Sequence, residues 1–557
     1  MQTLAFYYPL NLPFAYLQPK LAFNLQPFHM TKPLLSLLFI LFTLLSFGAQ
    51  GQTNTPPSCV ITAPHNNAYF QEGKSMTILV YASDIGGSAA NGTVSKVEFF
   101  NGDTKLGEAT SATNSTYSFV WSPLTAGTYT ITAKATDNLN LVSTSAGVKV
   151  MVGTDVAPSY GLSACKGKYL ANIIAGNVPS NYMQLWNGIT SENNTKWGSV
   201  EATRDVMNWN GADVAYNQAK NNHLMFRYHV FAWGSQFPAW AISPNTNNLL
   251  LSPADFQAEM EELIAAAAAR YGEGIDQIDV LNENLRTHAP ATQAFKTGLG
   301  GAGATGHDWI IWMFTKTRQY FPNAKLILND YGLENDQSAI NEQLLIIKLL
   351  RDRNLIDGFG TQAHEFNINT LSATQMKSSL DLMAKAGVPI YVTELDVSGD
   401  DNIQKTRYQT VFPIYWEHPA VAGISLWGYE SGKTWKANTN LLNGAGQDRP
   451  AMTWLRQYIA GRPDVGYPFC TQAPLVTGID DEVNTLKSAP YPNPFQKVFT
   501  YQMTGRFSYQ IYSSTGALLE SGTATEKVTL GENLPQGLYI LRVSQRDTTK
   551  AYRLIKN

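Results

Sequence analysis

The sequence predicts a closed parallel (β/α)8 TIM barrel flanked by two all-β sandwich domains. Three observations lead there. Between residues 154 and 465, β-like and helix-like blocks alternate through eight units, and eight units in about 310 residues suit a closed barrel better than an open sheet. Residues 56–153 and 473–557 instead alternate apolar with polar side chains, the period of half-buried strands. With 557 residues and 44% hydrophobic side chains, the chain has material for about three to four domains and is too apolar for global disorder.

Residues 1–51 read as an address. Leu34 to Phe47 is an apolar run too short for a comfortable membrane span; Lys32 precedes it and Gly48-Ala49-Gln50-Gly51 follows. That is the layout of a secretory signal peptide, and Met30-Thr31-Lys32 makes an ordinary start for one. A membrane anchor is the alternative. No other apolar run is long enough to cross a bilayer, so no integral span is expected after the leader is removed.

In 56–153, Val94–Phe100 and Thr128–Ala135 read as strands, with turn signals at Asn101-Gly102-Asp103 and Ala126-Gly127. Short strands at this spacing suggest a sandwich, and the stretch resembles the bacterial immunoglobulin-like modules appended to secreted enzymes. Tyr117, Phe119 and Trp121 share one sheet face; core packing is the first reading and a sugar platform the second.

In 154–465 the strand blocks are Lys168–Ala175, one ending near Glu192, Leu224–Trp233, Gln277–Glu283, Lys325–Tyr331, Gly358–His364, Ile390–Asp396 and Gly423–Gly428. Helix blocks include Ala254–Tyr271, Trp309–Phe321, Ala339–Arg351 and Thr374–Ala386. Barrels of this kind place chemistry at the C-terminal ends of their strands. Those ends carry Glu192, Trp233, Glu283, Tyr331, His364, Glu394 and Trp427. In 473–557 the strands are Phe507–Tyr512, Lys527–Leu530 and Gly537–Val543. With Tyr491-Pro492-Asn493-Pro494-Phe495 and Leu534-Pro535-Gln536-Gly537 they resemble the sorting domain of cargo exported by the type IX secretion machinery.

Composition narrows the function. Lys+Arg number 40 and Asp+Glu 43, a net charge of −3 that argues against a nucleic-acid partner. Charged residues are only 15% and aromatics 11%, a surface suited to neutral, hydroxyl-rich ligands. Three cysteines make neither a disulfide framework nor a four-ligand zinc site, and no cofactor or metal is called for. Cys165 and Cys470 lie just outside the two ends of the barrel segment, and barrel closure brings its ends together, so a disulfide between them is expected in an exported chain, three free thiols being the alternative. Two phosphate-loop decoys fail. Gly301–Gly306 satisfies GxGxxG without a strand before it, and Gly428–Thr434 is one residue short of a P-loop.

The chemistry rests on two glutamates. Asn282-Glu283 ends the fourth strand and Thr393-Glu394-Leu395-Asp396 the seventh, on facing walls of the barrel mouth. Retaining glycosidases use two carboxyl groups about 5.5 Å apart, one as acid/base and one as nucleophile. In order along the chain, Ile189–Trp197, His229–Trp233 with Gln236, Asn282-Glu283, Asn329-Asp330-Tyr331, Gln362-Ala363-His364, Thr393–Asp396, and Trp427 with Trp435 resemble the motifs of glycoside hydrolase family 10, whose main activity is endo-1,4-β-xylanase. The resemblance covers residues 166–460. It implies Glu283 as acid/base and Glu394 as nucleophile, with Asn282, His364 and Asp396 supporting them. It implies substrate binding by Glu192, Asn193, Lys196, His229, Trp233, Gln236, Tyr331, Gln362, Trp427 and Trp435. The partner implied is a plant cell-wall polysaccharide, xylan or arabinoxylan. Glu283 must stay protonated, and the carboxylate of Glu394 is expected to raise its pKa.

The sequence departs from the family pattern at Gly234, where His is usual, at Ile278 and Gly332, and through Gly428–Thr434. These changes bear on which β-glycan fits. The alternatives are another β-1,4-glycanase of the same fold, or a surface glycan-binding protein without catalysis.

Overall fold

The computed structural model describes residues 54–85, 92–155, 161–285, 289–464, 490, 492–513, 517–545 and 548–557. The leader and Cys470 lie outside them. Eight parallel strands close into a barrel in chain order: Tyr169–Ile174, Gly188–Ser191, Met225–Trp233, Gln277–Asn282, Lys325–Asp330, Gly358–Thr361, Ile390–Leu395 and Val421–Leu426. Nearly every residue in these strands is buried, because side chains fill the barrel and helices cover its outside. This is why they read as apolar runs and not as alternating ones.

The helices start where their caps allow. Ser252 accepts from the Asp255 amide and Pro253 opens Pro253–Tyr271; Ser372 and Gln375 form a capping box for Ala373–Met383. The boundaries of other blocks shift by a few residues. The sixth strand stops at Thr361, so Gln362-Ala363-His364 lies beyond it, and the eighth runs Val421–Leu426, leaving Trp427 outside. Helix Asp401–Glu417 was not among the helical blocks; Pro413 inside it is a strong contrary signal.

The N-terminal module is a two-sheet sandwich. One sheet holds Ser58–Ala63, Met76–Ser83 and Thr116–Trp121, the other the remaining strands, Val94–Asn101 and Gly127–Asp137 among them. Its three aligned aromatics belong to the core. Tyr117 is buried, Phe119 stacks on Phe99 at 5.3 Å, and Trp121 meets Tyr129 edge-on at 5.0 Å.

Ala473–Asn557 forms a separate compact unit. Its four antiparallel strands run in the order Leu518–Leu530, Phe499–Ser513, Gly537–Gln545, Thr548–Lys556. They are longer than their apolar centres suggested. Asn493 clamps the last strand, its Nδ2 donating to the Arg553 carbonyl at 2.6 Å and its Oδ1 accepting from the Ile555 amide at 2.9 Å. Among the described residues no helix is long and apolar enough to cross a membrane. Cys59 is free and buried and Cys165 is disulfide-bonded.

Candidate active site

Strand register puts the chemistry in rows. Trp233 pairs with Asn282 and Asn282 with Asn329 across three adjacent strands, so their side chains share one layer at the C-terminal mouth. Beyond the strands the ladder continues for one residue. Glu283 N donates to the Asn329 carbonyl, Gln362 N to that of Asp330 and Glu394 N to that of Gln362, at 2.9–3.0 Å. Glu283 adopts φ of 56°, a left-handed backbone that a side chain other than glycine takes only when its surroundings enforce it.

The two glutamates are joined by amides. Gln362 Nε2 donates to Glu283 Oε1 at 3.0 Å and to Asn282 Oδ1 at 3.1 Å. Asn329 Nδ2 donates to the same Asn282 oxygen and to Glu394 Oε1, both at 2.9 Å. Asn329 Oδ1 in turn accepts from Thr393 Oγ1 at 2.7 Å, which fixes its orientation. Gly360 lies opposite Asn329 in the register, and a Cβ there would fall 2.5 Å from Asn329 Oδ1. The sixth strand therefore has to be side-chain-free at this point.

Glu394 is buried yet ionised. Burial opposes its charge, but the His364 hydrogen bond, with the His364 and Arg227 charges behind it, outweighs burial and holds it down at about 2. His364 Nε2 sits 3.3 Å from Glu394 Oε2, and its Nδ1 2.9 Å from Asp396 Oδ2. Burial again opposes the charge, but the two carboxylates raise His364 to about 10, so it is a cation at neutral pH. Asp396 is fixed in turn by the Glu365 amide at 2.7 Å and the Trp435 indole at 2.6 Å.

Glu283 is pushed the other way. Burial raises its pKa, against the opposing hydrogen bonds from Gln362 and from the Trp233 indole; the charge of Glu394 adds a smaller push. The expected direction holds, but its main cause is burial. One carboxyl is biased to stay charged and the other to keep its proton.

The remaining sequence-chosen residues divide by burial. On the second strand's loop, Lys196 Nζ donates to Asn193 Oδ1 at 2.9 Å and lies 4.6 Å from the centre of the Trp233 ring. Burial lowers Lys196 to about 8, against the pull of Glu394, Glu192 and Glu283; burial also raises Glu192. Gln236 is exposed and Tyr331 half-buried. His229 is buried, with Nδ1 bound to Asp279 Oδ2 at 2.7 Å, which leaves Nε2 for any contact with substrate. Trp427 is only 5% exposed, set against His229 and His364, whereas Trp435 is 47% exposed.

Sequence reasoning overlooked the support beneath this layer. Arg227 and Asp279 form a fully buried ion pair at 2.6 Å, and Arg227 Nη1 also donates to the Thr393 carbonyl at 2.8 Å. The available signal was an arginine two residues before His229 in a mostly apolar strand. Phe366 was missed too: 47% exposed, it lies parallel to His364 at 5.6 Å and edge-on to Tyr331 at 5.8 Å. Among the described residues one carboxylate group, Glu201, Asp205 and Glu259, could hold a metal ion, but Arg204 already binds Glu259, and the Trp197 indole and Asp205 amide bind Glu201. Both decoys stay loops: Gly301–Gly306 follows a helix, and Gly428–Thr434 follows the last barrel strand.

The glycosyl hydrolase family 10 model matches residues 157–458, a bacterial Ig domain matches 57–133, and a secretion system C-terminal sorting domain matches 489–557. Endo-1,4-beta-xylanase B of Cellvibrio japonicus is 40% identical over 291 residues, 52% of this chain and 45% of that one. Endo-1,4-beta-xylanase 3 of Hypocrea jecorina is 28% identical over 259 residues, 46% of this chain and 69% of its own. This chain thus spans less than half the length of the first of these relatives. Among solved structures, a family 10 protein from Paenibacillus barcinonensis superposes with a TM-score of 0.48 at 24% identity, covering 55% of this chain and 98% of its own.

Proposed function

The chain belongs to glycosyl hydrolase family 10, and from that premise we propose that it is a retaining endo-1,4-β-xylanase acting on xylan or arabinoxylan outside the cell. The observation that carries the reading is the glutamate pair. Glu283 and Glu394 are joined through Gln362, Asn282 and Asn329, and their surroundings bias them to opposite protonation states. The names of the xylanase relatives support the substrate class.

In the first step the Glu394 carboxylate attacks the anomeric carbon as the glycosidic bond breaks, and Glu283 gives its proton to the departing oxygen. His364 keeps Glu394 ionised until then. In the second step Glu283, now a carboxylate, takes a proton from water while that water attacks the anomeric carbon and releases Glu394. Asn282 Nδ2, 3.3 Å from Glu283 Oε1, keeps a second hydrogen for a sugar hydroxyl. Glu192, Asn193, Lys196 and Gln236 bind further hydroxyls, and Trp435 and Tyr331 present aromatic faces to the rings. Export follows from the sorting domain, and we assign it to the type IX machinery. We place the domains at 56–153, 154–465 and 473–557, after a leader within 1–51.

The test is side-by-side product analysis on xylan, arabinoxylan, glucuronoxylan and β-glucan, with NMR of the first anomer formed. Xylan cleaved internally to β-anomers is expected. An α-anomer formed first overturns retention, preference for β-glucan overturns the substrate, and binding without new reducing ends overturns catalysis. A 2-fluoro xylobioside with a good leaving group should label Glu394, and a label on another residue would end that assignment.

A further inference from the structure

The N-terminal module meets the barrel through one set of loops. His223 precedes the third strand, Glu273 and Asp276 the fourth, and Asn323 the fifth. All four belong to helix-to-strand connections and so mark the barrel's N-terminal mouth, the end opposite Glu283 and Glu394. Asn66 is the central contact. Its backbone amide donates to Asp276 Oδ1 and its Nδ2 to the Glu273 carbonyl, while its Oδ1 accepts from Lys149 N at 2.9 Å within the module. Asn66 and Asp276 are both buried, and Asp276 Oδ2 also accepts from the Phe226 amide of the third strand at 2.8 Å.

Around that centre the contact is reciprocal. The His65 ring donates to the His223 carbonyl at 2.7 Å, and the His223 ring to the Asn67 carbonyl at 3.2 Å. Tyr69 packs on the His223 ring at 5.2 Å, and Gly147 N donates to Asn323 Oδ1 at 3.2 Å. Tyr81 of the module is buried in the same apolar cluster as the barrel core. Buried polar groups satisfied from both sides mark a fixed joint, unlike the sparse contacts of a tethered domain.

A polysaccharide-binding role needs exposed aromatic faces. Among the module's described residues the exposed large apolar side chains are Ile85, Val120, Leu139 and Val142, none of them aromatic. We propose that the immunoglobulin-like module is a brace that closes and stabilises the N-terminal mouth of the barrel, its binding partner being the barrel itself and not a glycan.

The test uses the full chain. His223→Asn combined with Asn323→Ala removes barrel-side contacts without touching bonds inside the module, and Asn tolerates the left-handed backbone at position 223 (φ 55°). Asn66→Asp sets a carboxylate against the Glu273 carbonyl and Asp276. Calorimetry should show module and barrel of the parent unfolding in one transition. Both variants should lower the barrel midpoint by about 4 °C or more, while kcat/KM on soluble xylan and retention on insoluble xylan stay within about twofold of the parent. A barrel midpoint unmoved in both variants overturns the brace. So does a module that melts separately in the parent, or loss of retention on insoluble xylan with the midpoint unchanged. The readout is barrel melting, so failure here leaves the glycosidase reading standing.

Discussion

Replacing His364 with Asn should move the acid limb of the pH–rate profile. Asparagine matches the imidazole as far as Nδ1, so it keeps a partner for Asp396 at 2.9 Å but cannot reach Glu394, 3.3 Å from the missing Nε2. The loss is one hydrogen bond between charged groups, about 1.5–3 kcal/mol. At 1.36 kcal/mol per pKa unit, that raises Glu394 by about one to two units. From its value of about 2, Glu394 then titrates between about 3 and 4. At pH 3 the variant should have lost about two to ten times more activity, relative to the parent, than at pH 6. The assay is kcat/KM on a soluble xylo-oligosaccharide from pH 2.5 to 7, with circular dichroism at each pH to verify the fold. An activity ratio constant across that range would refute the claim that His364 acts by keeping Glu394 charged.

Three further outcomes are expected. Gly360→Ala puts a methyl group against Asn329 Oδ1 and should cost about 1–3 kcal/mol in urea unfolding together with a loss of kcat; an unchanged midpoint and rate would dissolve the steric argument. Arg227→Met leaves Asp279 buried with a charge and no cation, so about 3–5 kcal/mol of stability should go, which a urea midpoint equal to the parent's would contradict. Stability should also track the His364–Glu394 pair. The Glu394 contribution is present above its ordinary 4.5 and lost as pH falls toward 2; that of His364 is full below 6.5 and lost as pH rises through about 10. Urea midpoints that do not differ between the parent and His364→Asn across either window would speak against it.

The barrel and its two glutamates were legible because both leave local marks: apolar runs separated by helical ones, and Asn-Glu and Thr-Glu-Leu-Asp at strand ends. What was not legible depends on register. Asn329 was visible as a residue, but its place between Asn282 and Glu394 exists only once the fourth and fifth strands are aligned. Arg227 has the same history, since its partner Asp279 sits 52 positions away on the next strand. The setting of Trp427 was not legible either: the motif marks the residue, but its packing against His229 and His364, which leaves it 5% exposed, exists only in the closed barrel. The cause of the Glu283 shift was also misread, because burial is a property of the closed mouth and not of the motif.

The Glu283 carboxyl group has two unequal oxygens. Oε1 receives two donors, Gln362 Nε2 at 3.0 Å and Asn282 Nδ2 at 3.3 Å, which use both of its lone pairs. Oε2 receives the Trp233 indole at 2.8 Å and has one lone pair to spare. A proton carried by Glu283 therefore resides on Oε2, and the amide row dictates this without touching the proton. In the acid/base role proposed for Glu283, the group thus has a front and a back: the departing oxygen would be served only from the side next to the Trp233 indole. On that proposal a glycosidic oxygen presented to Oε1 would meet a saturated acceptor with no proton to give, so the amides would sort productive from idle poses before any bond breaks.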